Sequence, residues 1–233
     1  MGRIVAIGGG GRQTNQPLNR HAVKLSGKQI PNVLFIGTAS RDGRVPFEVV
    51  LEDYGFFGCA VKNLCLVTQS YTQDEIDALL AWADIIYVGG GDTIFMMQVW
   101  KQLGLDEKLK RIFTEDRAVL AGISAGAICW FTCGHSDSES FHKADGWNFC
   151  WANGMLDLIH MAYCPHYDAE GRDTFDTMLK EKNMTGVAME NDTAFVHDNG
   201  KEYFIKGRPD ATAFLLQYEE DILVKREVTF ADA

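Results

Sequence analysis

The chain has 233 residues, 46% of them hydrophobic and 23% charged, the composition of a folded globular protein and not of a disordered one. No apolar run approaches the roughly 20 residues of a membrane helix, so a membrane partner is not expected. A net charge of −10, from 22 Lys+Arg against 32 Asp+Glu, sets up a field that repels phosphate backbones and argues against a nucleic-acid partner.

The N-terminus "MGRIVAIGGGG" holds only a short apolar run that ends in glycines, not in the small-residue cleavage site of a signal peptide, and the chain is read as cytoplasmic. Residues 3–8 (RIVAIG), 32–37 (NVLFIG), 61–67 (VKNLCLV), 84–90 (DIIYVGG) and 118–123 (AVLAGI) are β-branched and apolar. Several are apolar on successive positions, as strands covered on both faces must be. The amphipathic segments 46–57, 74–83, 92–104 and 106–116 read as helices between them. Strand and helix in alternation imply a parallel sheet with right-handed crossovers. "AICWF" after residue 126 reads as a further helix.

The pattern changes after residue 135. The polar and aromatic stretch 133–154 reads as a loop with one short hairpin, and loops of this length are commonly functional. "LIHMAYC" (158–164) reads as a strand ended by Pro165, residues 167–183 as a helix, and 193–207 as a hairpin turning at Asn199 and Gly200. A β-rich C-terminus follows. No repeat or linker marks a boundary, so a single domain over 1–233 is expected, an α/β three-layer α/β/α sandwich with a mostly parallel central sheet and a β-rich C-terminal part. The six cysteines include no C-x-x-C pair, so reduced thiols and no metal site are expected.

Three glycine-rich turns follow predicted strands. Gly122, Ser124 and Gly126 form G-x-S-x-G at a strand-to-helix junction, the setting of a nucleophile elbow, where small neighbours let the backbone bend and expose the hydroxyl. The bland alternative is a helix N-cap serine in a tight turn. "YVGGGDT" (87–93) frees backbone N–H groups to approach an anion, with Asp92 suited to cap the next helix. "GGGG" (8–11) follows the first strand but fails the dinucleotide pattern: the third glycine position is Gln13, and no acid ends the next strand. No nucleotide or other cofactor is expected.

A serine nucleophile needs a base. Of six histidines, His166 in "YCPHYD" sits just past a predicted strand, at the sheet edge where Ser124 lies, whereas His135, His142 and His197 read as ordinary structural or surface imidazoles. Asp137, Glu139 and Glu190 are the candidate acids to orient it.

Taken in order, "VGGGDT", "GISAGA", "CPHYD" and "AMENDTAFV" resemble the serine peptidases of the peptidase E (aspartyl dipeptidase) and cyanophycinase family, with its class I glutamine amidotransferase-like fold. The resemblance spans about residues 84–197. It implies Ser124 as nucleophile, His166 as general base and an acid in the loop after the elbow, mapped to Asp137 in preference to Glu139. It also implies oxyanion donors at the Gly91 and Ala125 N–H groups, beside Gly90. The chain departs from peptidase E in two places: Asp92 stands where peptidase E has Asn, and residues 125–140 contain no Arg or Lys to pair with an aspartyl side chain.

The expected function is hydrolysis of dipeptides or short peptides through an acyl-enzyme, in a site roofed by the 134–153 loop. Asp92 is expected to hold the substrate ammonium, and Arg172 is the one cation placed to restore an aspartyl preference. A monomer or homodimer is expected. The rival readings are an esterase sharing the elbow and a non-catalytic protein whose glycine turns bind a small anion.

Overall fold

The computed structural model describes residues 2–142 and 148–232. The elements run β1 (Arg3–Ile7), α1 (Arg12–Leu25), β2 (Asn32–Ile36), α2 (Arg44–Phe56), β3 (Ala60–Leu64), α3 (Gln73–Trp82), β4 (Ile85–Val88), α4 (Thr93–Leu103), α5 (Leu105–Thr114), β5 (Val119–Ile123) and α6 (Ala125–Ile128). There follow β6 (Phe131–Ser136), β7 (Cys150–Asn153), β8 (Ile159–Cys164), α7 (Thr174–Met178), β9 (Gly186–Met189), β10 (Thr193–Asp198), β11 (Lys201–Lys206), β12 (Ala213–Glu219) and β13 (Ile222–Glu227).

Seven strands form one sheet in the order β11-β10-β1-β5-β4-β2-β3. The five from β1 to β3 are parallel, and β10 joins β1 antiparallel, Val5 opposite Val196. Strand periodicity explains their continuous apolar runs. In β1, Val5 and Ile7 pack with Leu18 of α1 and Tyr54 of α2, whereas Ile4 and Ala6 pack on the other face with Trp100 of α4 and Leu109 of α5. The result is the expected three-layer α/β/α arrangement.

The C-terminal half builds a second sheet, β13-β12-β9-β8-β6-β7, in which β6, β8 and β9 are parallel. Its β6 begins where a helix was expected. The elbow helix α6 lasts one turn, and the segment from Phe131 pairs with β8 instead. The expected hairpin in the following loop is β6–β7, His135 opposite Trp151; residues 143–147 of the expected roof lie outside the described residues.

Two further expectations change. Helix α1 has few apolar residues and carries Pro17, so its period was not legible in the sequence. The helix expected over 167–183 begins only at Thr174, because Gly171 takes φ +79° and residues 166–173 form successive turns. Those turns direct Arg172 inward. Among the described residues no helix is long and apolar enough to cross a membrane.

Candidate active site

The site lies at the C-terminal edge of the first sheet, where open α/β sheets collect ligands. Ser124 stands between β5 and α6 with φ 56° and ψ −116°, a conformation that costs a non-glycine residue of order 1–3 kcal/mol and that clusters at functional sites. The flanking glycines permit it. A Cβ on Gly126 would lie 2.1 Å from the Val88 carbonyl, and one on Gly122 2.1 Å from that of Gly126, so α6 can press onto β4 and β5 only without those side chains.

His166 also has a positive φ, 52°, in the turn after β8. Its Nε2 lies 2.9 Å from Ser124 Oγ. Its Nδ1 lies 2.8 Å from Asn191 Oδ1, in the turn between β9 and β10. Asn191 is itself held: its backbone N–H donates to Asp168 Oδ1 at 2.9 Å and its side-chain Nδ2 to Asp168 Oδ2 at 3.1 Å. A carboxylate accepts only, so the amide nitrogen faces Asp168 and the amide oxygen faces His166. The proton of a neutral imidazole then sits on Nδ1, and Nε2 is free to accept from the serine hydroxyl. Burial lowers the pKa of His166, outweighing the hydrogen bond that its Nδ1–H donates to Asn191, and the nearby Arg172 charge lowers it further.

Asp137, expected beside His166, instead accepts from Arg172 at 3.1 Å. Arg172 is only 3% exposed; it also donates to the His135 carbonyl at 2.8 Å and stacks over the Phe149 ring at 4.5 Å. Its charge needs a counter-charge at that depth, which draws Asp137 toward it. Glu139 lies in the 3₁₀ turn Ser138–Phe141, and Glu190 accepts from the Thr212 N–H at 2.8 Å. Asn191 stands one residue past Glu190 in "AMENDTAFV", but a neutral amide carries no acid signal in the sequence, and only the folded chain brings it to His166. Asp168 likewise closes the "CPHYD" motif.

The "VGGGD" turn reaches Ser124: a Cβ on Gly90 would lie 3.3 Å from Ser124 Cβ. The Gly89 and Asp92 N–H groups bond to the Ile36 and Ala39 carbonyls, leaving the intervening Gly90 and Gly91 N–H groups without a partner among the described residues. Ala125 opens α6, so its N–H precedes the helix ladder. Asp92 is 1% exposed and committed on both oxygens, one capping α4 at Phe95 N (3.1 Å) and one on His142 Nε2 (3.0 Å). It therefore acts as the helix cap, away from a substrate ammonium.

The "GGGG" turn, whose spacing fails the dinucleotide pattern, organises the site. The Ile7 carbonyl accepts from Ser124 N, that of Gly8 from His166 N and that of Gly9 from Asp192 N, each at 3.0 Å. A Cβ on Gly9 would stand 2.2 Å from both His166 Nδ1 and Asn191 Oδ1. Beside His166 opens a cavity of about 290 Å³ lined by Asp137, Phe149, Ala169, Glu170 and Arg172. His135, buried behind Arg172, is held neutral, its pKa pushed down to about 3 by burial and by that guanidinium. Among the described residues no cluster of His, Cys, Asp and Glu is placed to hold a metal ion.

The chain is 29% identical over 227 residues to an uncharacterized peptidase, YgaJ, of Bacillus subtilis (strain 168), covering 94% of each chain. It is 38% identical over 109 residues to an uncharacterized peptidase, Lin0382, of Listeria innocua, covering 45% of this chain and 48% of that one. The fold is similar to that of a crystal structure provisionally assigned as a peptidase E protein from Listeria monocytogenes EGD-e, at TM-score 0.67 and 20% identity, over 88% of this chain and 98% of that one. It is also similar to a peptidase from an acI-B1 Actinobacterium, at TM-score 0.66 and 17% identity, over 99% and 97%. The model of peptidase family S51 matches residues 4–205, nearly the whole chain, and the protein therefore belongs to peptidase family S51.

Proposed function

We propose that the protein is a serine peptidase that hydrolyses dipeptides or other short peptides through an acyl-enzyme, with Ser124, His166 and Asn191 as its catalytic group. The observation that carries this reading is the 2.9 Å contact between Ser124 Oγ and His166 Nε2 at a strained elbow, with the imidazole tautomer fixed from behind by Asn191. Ser124 attacks the scissile carbonyl as His166 Nε2 takes its proton. The oxyanion forms against the N–H groups of Gly91 and Ala125. The imidazolium then returns its proton to the leaving amine, the C–N bond breaks and an ester remains on Ser124. Water, deprotonated by the same nitrogen, attacks that ester, and the proton passes back to Ser124 as the acid product departs.

The cavity beside His166 suits the N-terminal residue of the substrate. Asp137 and Glu170 supply two carboxylates there, and a charge-assisted hydrogen bond from a free α-ammonium would fix its distance from the scissile carbonyl. This moves the ammonium anchor from Asp92, whose oxygens are both engaged, to the mouth of the His166 cavity. Arg172 lines the same cavity, but Asp137 already pairs with it, so an aspartyl side chain would have to displace that carboxylate.

A fluorophosphonate probe followed by peptide mapping tests the reading, alongside a dipeptide library assayed by mass spectrometry with Ser124→Ala as control. Labelling at Ser124 and release of free amino acids, both lost in the variant, is the expected result. Hydrolysis undiminished in Ser124→Ala would overturn it.

A further inference from the structure

Ser124 is flanked by a second cavity, on the opposite face of the sheet from α4 and α5. It also measures about 290 Å³ and opens between α1 and α2, walled by Phe35, Val49 and Ile123, with Asn15 and Asn19 of α1 lining one side. Two features tie it to the nucleophile. Ile123 is the residue before Ser124, and Gly90, which lines the cavity, touches Ser124 so closely that a Cβ there would stand 3.3 Å from Ser124 Cβ.

We propose that this cavity is the subsite for the side chain of the residue released as the leaving amine, and that it selects a large apolar side chain. The inference rests on the serine-peptidase reading and gives that reading a direction. The cavity beside His166 holds the two carboxylates that suit an N-terminal ammonium, so the peptide runs from there across Ser124 and places its next residue against Phe35, Val49 and Ile123. Of the charged groups in the lining, the half-exposed Arg12 pairs at 2.6 Å with the buried Asp53, so each charge is met and Phe35, Val49 and Ile123 are left as the apolar wall. The volume is at the small end of ligand pockets and suits one side chain.

Asn15 and Asn19 sharpen the preference. They are 4% and 3% exposed, and the Oδ1 atom of each has no donor among the described residues. Buried acceptors of this kind favour a group that brings its own N–H. An indole, apolar in body with one N–H at its edge, fits better than a phenyl ring of otherwise similar character.

The test compares kcat/KM for Ala-Gly, Ala-Leu, Ala-Phe and Ala-Trp with the mirror series Gly-Ala, Leu-Ala, Phe-Ala and Trp-Ala, in the wild type and in Val49→Trp, which fills the cavity from a partly exposed wall position. The wild type is expected to cleave Ala-Leu and Ala-Trp at least tenfold faster than Ala-Gly, with Ala-Trp above Ala-Phe. Val49→Trp is expected to remove most of that ratio while the ratios within the mirror series stay as they were. Val45→Trp, on the same wall at a 69% exposed position, carries the same expectation if Val49→Trp fails to fold by circular dichroism. Hydrolysis that ignores the leaving residue, a loss shared equally by all substrates, or a change confined to the mirror series would each overturn the subsite. No hydrolysis of any peptide by the folded wild type would instead remove the peptidase reading, and the subsite with it.

Discussion

Asp168 is linked to His166 through a single amide: Asn191 donates to Asp168 at 3.1 Å and faces His166 Nδ1 with its oxygen at 2.8 Å. The carboxylate thus sets which way the amide points, and the amide sets which imidazole nitrogen carries the proton. A neutral asparagine orients the base as a carboxylate would but stabilises the imidazolium less, and the charge needed for that stabilisation stands one bond further away.

Substitution along this relay separates its members. Asn191→Leu is expected to lower kcat by roughly 10²–10⁴-fold, within the range seen when a triad loses its orienting group. Asp168→Asn frees the Asn191 amide to turn over and is expected to lower kcat about 10- to 100-fold with KM within about twofold, since it acts on orientation alone. Asp137→Asn, which loosens Arg172, is expected to act mainly on KM. Steady-state kinetics on one dipeptide ranks all three, and a crippled Asp137→Asn beside an unaffected Asn191→Leu would reverse the assignment.

Ser124 offers a stability test. Ser124→Ala keeps the unfavourable backbone and loses the hydroxyl, so hydrolysis should fall by about 10⁴–10⁶ with little change in folding free energy. Ser124→Gly loses the same hydroxyl but accepts φ 56° and ψ −116° without strain. It is expected to be more stable than Ser124→Ala by about 1 kcal/mol, read from urea unfolding midpoints. Equal midpoints would mean that the elbow stores no strain at this residue.

The pH profile follows from His166. The proposed mechanism requires the neutral imidazole, and burial lowers its pKa, so the neutral form persists to lower pH than for a free histidine. The acid limb of kcat/KM is expected to have its midpoint below about 6.5. Arg172 contributes to that lowering. Arg172→Met removes the like charge and leaves Asp137 unpaired nearby, two changes that both favour the imidazolium, so the limb should move to higher pH. A limb that stays in place would show that the Arg172 charge does not reach the base.

Substrate ends give the last test. Ala-Leu is expected to be cleaved and N-acetyl-Ala-Leu to be cleaved at least tenfold more slowly, because acetylation removes the ammonium that Asp137 and Glu170 would hold. Asp-Leu is expected to show no strong advantage over Ala-Leu, since the Arg172 fork is already occupied by His135 and Asp137. Selective cleavage of Asp-Leu would show that an aspartyl side chain displaces Asp137.

Four of the five parallel strands were legible because burial on both faces writes itself as uninterrupted apolar runs, whereas the edge strand β3, Ala60–Leu64, is largely exposed and carries Lys62 and Asn63. Ser124, its glycines and His166 were legible because a sharp turn demands small residues at fixed spacing. Helix α1 was not, because it buries two asparagines where an apolar stripe would have marked it. The choice among orienting groups was beyond reach for a related reason. Asp137 and Asn191 differ in which buried partner each meets, Arg172 or His166, and that is decided by how the turns of residues 166–173 fold back, not by residue type.

Three successive carbonyls, of Ile7 at the end of β1 and of Gly8 and Gly9 just past it, hold Ser124, His166 and Asp192, so this one strand end is the scaffold on which three segments far downstream come to rest. These contacts join the start of the chain to segments far downstream, and closing such loops is slow relative to forming helices. The catalytic arrangement is therefore a property of the finished chain. In refolding, recovery of hydrolysis should trail recovery of helical signal.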